Sequence, residues 1–294
     1  MTPERKLYLG ALTDNRRWDH VTIRADDVIV VTPPKSGTTW MQVIVALLLS
    51  GDPEVEPALS QNMPWVDIRF REIADVAAHL EGMQGRRSVK SHTPMDGLPL
   101  EGRAQYICVS RHPLDAHFSF RKHVRNVPMP FFNHWYPDDD PDGVTFRRFL
   151  DGGPEGFDMD ALTLAHILRH YRAALQVADR PNVAMFHYAE MRRNLAGTFA
   201  RVAGLLGVSY PDDLMAQLVE AATFDNMKQN AERFVPAAQK GAFVSDADFF
   251  HKGTNGQWDG VLSAAELAGY DAVMDAALSV EERRWLEFGE GDAG

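Results

Sequence analysis

The sequence predicts an α/β fold in which a parallel sheet lies between two layers of helices. Two short apolar runs, Asp27-Val28-Ile29-Val30-Val31 and Gln105-Tyr106-Ile107-Cys108-Val109-Ser110, are rich in β-branched residues, as expected of strands buried on both faces. Helical periodicity fills the chain between such runs. Strands that alternate with helices imply parallel pairing through right-handed crossovers. At 294 residues the chain is long enough for one large domain or two small ones, and it carries neither repeats nor low-complexity tracts. We read it as a single domain over residues 1–294.

Residues 1–26 are polar and mixed, an entry segment that packs on the sheet. After the strand at 27–31 a helix is predicted from Thr38 through Leu49, stopped by Ser50-Gly51. Residues 52–66, with Pro53, Pro57 and Pro64, read as a loop or lid. Ile73 to Leu80 is a short helix and Arg87 to His92 a short strand, which Thr93-Pro94 ends. A helix over 113–124 follows the strand at 105–110, with Pro113 at its first position. Asn126 to Gly143 is a loop rich in Pro, Asp and aromatics, long enough to serve as a lid. An amphipathic helix covers 160–179 and a strand Asn182 to Tyr188. Helices are expected at about 194–206 and 212–222, then an irregular stretch from Thr223 to Trp258. Two closing helices are expected at about 263–277 and 280–287.

The formal net charge of −11 argues against a nucleic-acid partner, because polyanions require a broad basic surface. Any anion site must therefore be a local basic pocket. Cys108 is the single cysteine, so no internal disulfide can form, and its apolar strand predicts a buried, inert thiol. The N-terminus lacks the apolar stretch of a signal peptide, and no run reaches the ~18 consecutive apolar residues of a membrane span. A cytoplasmic location is the expectation.

The loop Thr32-Pro33-Pro34-Lys35-Ser36-Gly37-Thr38-Thr39-Trp40 joins the first strand to its helix. N–H groups at a helix N-terminus lack intrahelical partners and face whatever lies in front, which makes such a turn an anion cradle. Ser36, Thr38 and Thr39 add hydroxyl donors, Gly37 lets the backbone approach, and Lys35 adds a charge. Lys35 precedes the glycine, whereas the Walker A order G-x-x-x-x-G-K-[ST] has lysine after it, which disfavours a nucleoside triphosphatase.

Ligands of open parallel sheets bind outside the carboxyl ends of the strands. The loop at 32–40, His92, Arg111 and Tyr188 all fall at such ends, so a single site is expected there. Lys35, Lys90, Arg111 and Lys252 would bring four cations to it, enough for two separated anionic groups on one ligand. Arg111 and Ser119 bracket the start and second turn of one helix, so both could reach one phosphate; a solvated helix face is the plainer reading of that pair alone. His92, beside Lys90, could deprotonate a hydroxyl at neutral pH, although a lone histidine is more often structural. His166 and His170 lie four apart on a helix, but with no third ligand evident an exposed helix face is the better reading than a metal site. Trp40, Tyr188 and Phe224 could stack on a base, or simply belong to the core.

With these residues assembled, the chain resembles the cytosolic type of sulfotransferase that uses 3'-phosphoadenosine-5'-phosphosulfate (PAPS), which has a P-loop-like fold. The family's loop T-Y-P-K-S-G-T-T-W matches Thr32 to Trp40 except for Pro34 in place of tyrosine. Its catalytic K-[ST]-H-x-P segment matches Lys90-Ser91-His92-Thr93-Pro94, and its 3'-phosphate pair of Arg with Ser eight residues later matches Arg111 and Ser119. Its R-K-G-x-x-G-x-W segment appears as His251-Lys252-Gly253-Thr254-Asn255-Gly256-Gln257-Trp258, with histidine for the first arginine. The stretches Arg111-His112-Pro113-Leu114-Asp115 and Pro94-Met95-Asp96-Gly97-Leu98 look like the bacterial branch that includes glycolipid sulfotransferases.

The resemblance implies PAPS as co-substrate, 3'-phosphoadenosine-5'-phosphate (PAP) as product, and no metal. It implies Lys35, Lys90 and His92 as the catalytic set, with His92 as general base. Ser36 to Thr39 would hold the 5'-phosphate; Arg111, Ser119, His251, Lys252 and Gly253 would hold the 3'-phosphate. Trp40, Tyr188 and Phe224 would enclose the adenine. An apolar set of Trp65, Phe70, Phe118, Phe131, Phe132, Trp135, Tyr136 and Phe249 would line the acceptor pocket, which suits a phenol, a lipid-like alcohol or a glycolipid headgroup. The rivals are an ATP-dependent small-molecule kinase and a non-catalytic nucleotide-binding protein. The family's C-terminal dimer motif is not recognisable around Asp259-Gly260-Val261, which leaves monomer and homodimer both open.

Overall fold

The computed structural model describes residues 5–127, 136–137, 140, 143–152, 159–230, 233 and 255–290. Four strands, β1 (Val28–Val31), β2 (Ser88–Ser91), β3 (Gln105–Ser110) and β4 (Val183–His187), form one parallel sheet in the order β2-β1-β3-β4. The two runs read as central strands, β1 and β3, do occupy the centre. Every β1 side chain is buried because helices cover both faces of the sheet.

The helices are α1 (Thr38–Ser50), α2 (Leu59–Asn62), α3 (Ile73–Gly82), α4 (Pro113–Arg125), α5 (Val144–Asp151) and α6 (Leu164–Leu175). They continue with α7 (Tyr188–Arg193), α8 (Leu195–Leu206), α9 (Asp212–Ala221), α10 (Phe224–Gln229), α11 (Ala264–Ala277) and α12 (Val280–Phe288). Alternation along the strands splits the core. Val28, Val30, Ile107, Val109 and Phe186 pack on α1, α8 and α9. Ile29, Val31, Val89, Tyr106 and Cys108 face the opposite way, onto Trp18, α3 and Ala173 and Ala174 of α6. A third apolar cluster joins α4, α5, α6 and α11. Cys108 is buried and unpaired, and burial pushes its thiol up to about 12.

Several elements differ from the sequence reading. The loop at 52–66 contains α2, and the stretch expected to be irregular after Thr223 begins with α10, where the Thr223 hydroxyl accepts from Asn226 N–H. Helix α6 is shorter than 160–179, starting after a Thr163 cap. The N-terminal segment holds a 3-10 helix (Asn15–His20) whose Trp18 is inserted under the sheet. Among the described residues no helix is long and apolar enough to cross a membrane.

Register sets the site. Val31 of β1 stands level with Ser91 of β2 and with Cys108 of β3, and Ser110 stands level with His187 of β4. The loops that leave these ends therefore emerge along one edge of the sheet. At the other end of β1, the Arg87 guanidinium forms a buried two-pronged ion pair with Asp27 and also donates to the Thr22 and Leu80 carbonyls. An Arg87→Met exchange strands that carboxylate in the interior and is expected to cost about 3–5 kcal/mol in urea unfolding. A loss below about 1 kcal/mol would show that the pair is dispensable to the sheet.

Candidate active site

The loop after β1 has the backbone of a built cradle. Lys35 takes a left-handed conformation at φ 65, which costs a non-glycine residue energy that the surroundings must supply. Gly37, at φ 102, is the N-cap of α1, and no side chain caps that helix. The first-turn N–H groups therefore remain for a ligand. Ser36 is fully buried and its hydroxyl has no hydrogen-bond partner within the protein, an orphan that a bound anion would satisfy. The Thr32 and Thr38 hydroxyls share a short hydrogen bond across the turn, and Thr39 is half-buried beside them. Helix terminus, strained lysine and orphan hydroxyl together fit a phosphate group.

Arg111 leaves the end of β3, is buried, and donates from Nη1 to the Lys35 carbonyl at 3.1 Å. Its guanidinium lies 4.3 Å over the Tyr188 ring, and Tyr188 in turn meets Trp40 edge-on at 5.5 Å. The Trp40 indole N–H donates to the Ala222 carbonyl, two residues before Phe224, which packs half-buried on the same cluster. The sheet thus gathers Trp40, Tyr188 and Phe224 around one end of the cradle. Ser119 sits half-buried in the second turn of α4. The acidic Asp115 of that helix accepts from the N–H groups of Gly256 and Gln257, and Trp258 packs on His112 at 5.4 Å. This docks the end of the 251–258 motif beside Arg111. His251, Lys252 and Gly253, assigned to the nucleotide, lie outside the described residues, as do Phe131, Phe132, Trp135 and Phe249.

On the other side of the cradle, His92 Nδ1 lies 2.7 Å from the Thr32 carbonyl. A carbonyl only accepts, so Nδ1 carries the proton and Nε2 keeps its lone pair. The ring meets Trp65 edge-on at 4.7 Å, and Lys90 Nζ lies 4.8 Å over the same indole. Burial, with Lys90 next, drives the His92 imidazole down to about 3, so it is neutral throughout the physiological range. Burial lowers both lysines to about 8; Arg111 and Lys90 depress Lys35 further, while Asp67 partly restores Lys90. A basic cluster with depressed amines beside a neutral histidine is what an anionic ligand and a proton acceptor would require.

Both the sequence and the fold match proteins of known type. A family model described as "Sulfotransferase domain" matches residues 25–281. The chain belongs to the sulfotransferase family. The glycolipid sulfotransferase of Mycobacterium bovis (strain BCG / Pasteur 1173P2) is 34% identical over 301 residues, covering 91% of this chain and 89% of that protein. The Mycobacterium tuberculosis (strain ATCC 25177 / H37Ra) glycolipid sulfotransferase is 35% identical over 291 residues with the same coverage. Among solved structures, mouse sulfotransferase SULT7A1 complexed with PAP superposes with a TM-score of 0.69 at 21% identity over 92% of this chain and 90% of that one. Retinol dehydratase in complex with androsterone and inactive cofactor PAP gives 0.71 at 18% identity, over 90% and 84%. These structural likenesses establish the sulfotransferase fold.

Within this sulfotransferase the acceptor candidates separate. Trp65 borders His92 and Lys90, Phe118 is buried on α4, Phe70 is 62% exposed to solvent, and Tyr136 packs on Phe120 in the core. His166 and His170 are not on an exposed face. Both are buried, their rings stack at 5.0 Å, and His170 Nε2 bonds the His92 carbonyl at 2.8 Å. The bond to the His92 carbonyl is a long-range contact, which helical periodicity could not reveal. Among the described residues no group of His, Cys, Asp and Glu could hold a metal ion. Sequence reasoning also missed Asp67, and it missed His123 in the last turn of α4, whose imidazole feels Lys35, Lys90 and His92. A periodicity argument would have placed His123 one helical turn beyond Ser119, on the same face.

Gly37 tests the cradle. A Cβ there would lie 2.9 Å from the Tyr188 ring at a φ unsuited to alanine. Gly37→Ala is expected to cost about 1–3 kcal/mol of stability and to weaken PAP binding at least about tenfold in calorimetry, a 1.4 kcal/mol effect. Unchanged PAP affinity would place the nucleotide elsewhere.

Proposed function

We propose that the protein transfers the sulfuryl group of PAPS to a hydroxyl of a glycolipid, with His92 as general base and Lys35 and Lys90 as the cations of the transition state. The observation that carries this reading is the His92 tautomer, with Nδ1–H committed to the Thr32 carbonyl and Nε2 left basic beside Lys90. PAPS supplies an activated sulfuryl group on a good leaving phosphate. Sulfuryl transfer, like phosphoryl transfer, asks a protein chiefly for in-line positioning and for charge stabilisation on the leaving oxygen. The α1 N-terminus, Ser36, Gly37, Thr38 and Thr39 hold the 5'-phosphate, and Lys35 neutralises the charge that grows on the bridging oxygen. Lys90 steadies the sulfuryl oxygens while His92 Nε2 takes the acceptor's proton. Arg111 and Ser119, with His251, Lys252 and Gly253, read the 3'-phosphate, and Trp40, Tyr188 and Phe224 enclose the adenine. The two mycobacterial relatives, both glycolipid sulfotransferases, favour a glycolipid over a simple phenol as acceptor.

An ATP-dependent kinase would require the Walker order that Lys35 breaks. Turnover of radiolabelled PAPS over a panel of glycolipids, sterols and phenols tests the activity and the acceptor class together. Product on a glycolipid is the expected result. A melting-temperature rise with ATP and magnesium but none with PAP would transfer the reading to a kinase.

His92→Ala is expected to lower kcat by about 10²–10⁴-fold, the usual contribution of a positioned base, while PAP affinity stays within a few-fold. Retained kcat would remove His92 from the base role. The pH profile follows from the same groups. His92 is neutral above about 3, so no acid limb from it appears near neutrality. Lys35 and Lys90 act as cations and lose their protons as pH rises through about 8 in the free enzyme. The kcat/KM profile is therefore expected to be flat between about pH 5 and 7 and to fall above about 8. An acid limb near pH 6.5 would mean that the base is an unperturbed histidine.

A further inference from the structure

We propose that Asp67 is a positioning residue for this site: its buried carboxylate fixes the peptide of His92 and supplies the counter-charge of Lys90. The part of the proposal that concerns catalysis rests on the sulfotransferase reading; the part that concerns Lys90 does not.

Asp67 is fully buried on the segment Pro64–Asp67, which runs beside the end of β2 and is tied to it by Lys90 N–H to the Pro64 carbonyl and Val66 N–H to the Lys90 carbonyl. Four neutral donors converge on its carboxylate. They are Trp18 Nε1–H at 2.5 Å, the Ser91 hydroxyl at 2.7 and 3.0 Å, the His92 backbone N–H at 2.7 Å and Trp65 Nε1–H at 3.2 Å. Three of these partners, the two indole N–H groups and the His92 backbone N–H, can only donate, and the Ser91 hydroxyl alone could accept from a protonated acid. The set fits the ionised form. Burial raises the acid above the usual carboxylate range, and the four bonds offset that rise in part.

The His92 peptide is consequently held at both ends, its N–H by Asp67 and its carbonyl by His170, while the ring is pinned by Thr32. Lys90 lies over the Trp65 indole whose N–H reaches Asp67. The ionisable groups that face this corner are Lys35 from the loop before α1, His92 from the end of β2, His123 from the last turn of α4, and Arg17, which faces Asp67 from the N-terminal 3-10 helix. Asp67 is the negative charge that acts on Lys90. Burial weakens the hold of this lysine on its proton, and the Asp67 carboxylate restores part of it.

Asp67→Asn preserves shape, removes the charge and turns one acceptor into a donor that faces other donors. In the ligand-free protein, acetic anhydride labels only neutral amines, so the pH dependence of Lys90 acetylation, read by peptide mass spectrometry, gives its ionisation midpoint. We expect the wild-type midpoint near 8 and a downward move of about one unit in Asp67→Asn. An unmoved midpoint overturns the counter-charge. In turnover of radiolabelled PAPS on the glycolipid acceptor, kcat of the variant at pH 8 is expected to fall about 10²-fold, the deficit shrinking as the pH is lowered to 6.5, with PAP affinity at pH 6.5 kept within a few-fold. A deficit of equal size at every pH, or a matching loss of PAP affinity, would mean that Asp67 is structural only. If Asp67→Asn does not fold, Trp18→Phe removes one of the four donors, from a side chain buried in the apolar core. It is expected to lower kcat several-fold at constant PAP affinity, and unchanged kcat would overturn the positioning role. A wild-type protein that neither binds PAP nor consumes PAPS would sink the sulfotransferase reading instead, leaving the Lys90 midpoint to decide the rest.

Discussion

The hydrogen bond between His92 Nδ1–H and the Thr32 carbonyl is the constraint on which the site depends. It joins the first residue after β1 to the first residue after β2, and it exists because those strands are parallel neighbours in one register, with Val31 opposite Ser91. Thr32 N–H continues the ladder onto the Ser91 carbonyl at 3.2 Å. The same residue then opens the anion cradle, with its hydroxyl on Thr38 at the head of α1. A single residue of slippage would turn Ile29 and Val31 to the other face and separate base from cradle together. Sheet register and reaction geometry are one property.

Electrostatics gives the second constraint. The chain is acidic overall, yet Lys35, Lys90 and Arg111 are crowded at one sheet edge, where each loses hydration and Lys35 feels both others. Such crowding destabilises the ligand-free state and is relieved when a multiply charged anion enters. Arg111 also holds the Lys35 carbonyl, and Lys35 keeps its left-handed backbone under that restraint. If Arg111 reads the 3'-phosphate as proposed, nucleotide binding and loop conformation are coupled through one guanidinium.

Much of this was legible in the sequence because it is local. The β-branched runs of β1 and β3, the turn between Thr32 and Trp40, and the Lys90-Ser91-His92 segment each carry their structure within about ten residues. What escaped is long-range. Asp67 reaches His92 across 25 positions, and His170 reaches it across 78. Nothing in the pattern around His166 and His170 distinguishes a buried stacked pair from a polar helix face, because both occur at a spacing of four. Phe70 looked like a pocket aromatic from its neighbours, yet it follows Arg69 into a solvent-exposed turn. Lone aromatics carry little information about facing without a strand or helix to set their period.

The long-range contacts have a shared logic. Each supports His92 through its main chain or its Nδ1, and in no case through Nε2, so the nitrogen proposed as the base keeps its lone pair while every other polar atom of the residue is committed. Asp67 comes from the segment beside β2, His170 from α6, and Thr32 from the end of β1. Three separate elements converge on one histidine, so its orientation cannot drift unless the sheet, α6 or the Pro64–Asp67 segment moves as well. A lone histidine in a sequence is more often structural; here the structural bonds and the basic lone pair belong to the same side chain. The first are what make the second available.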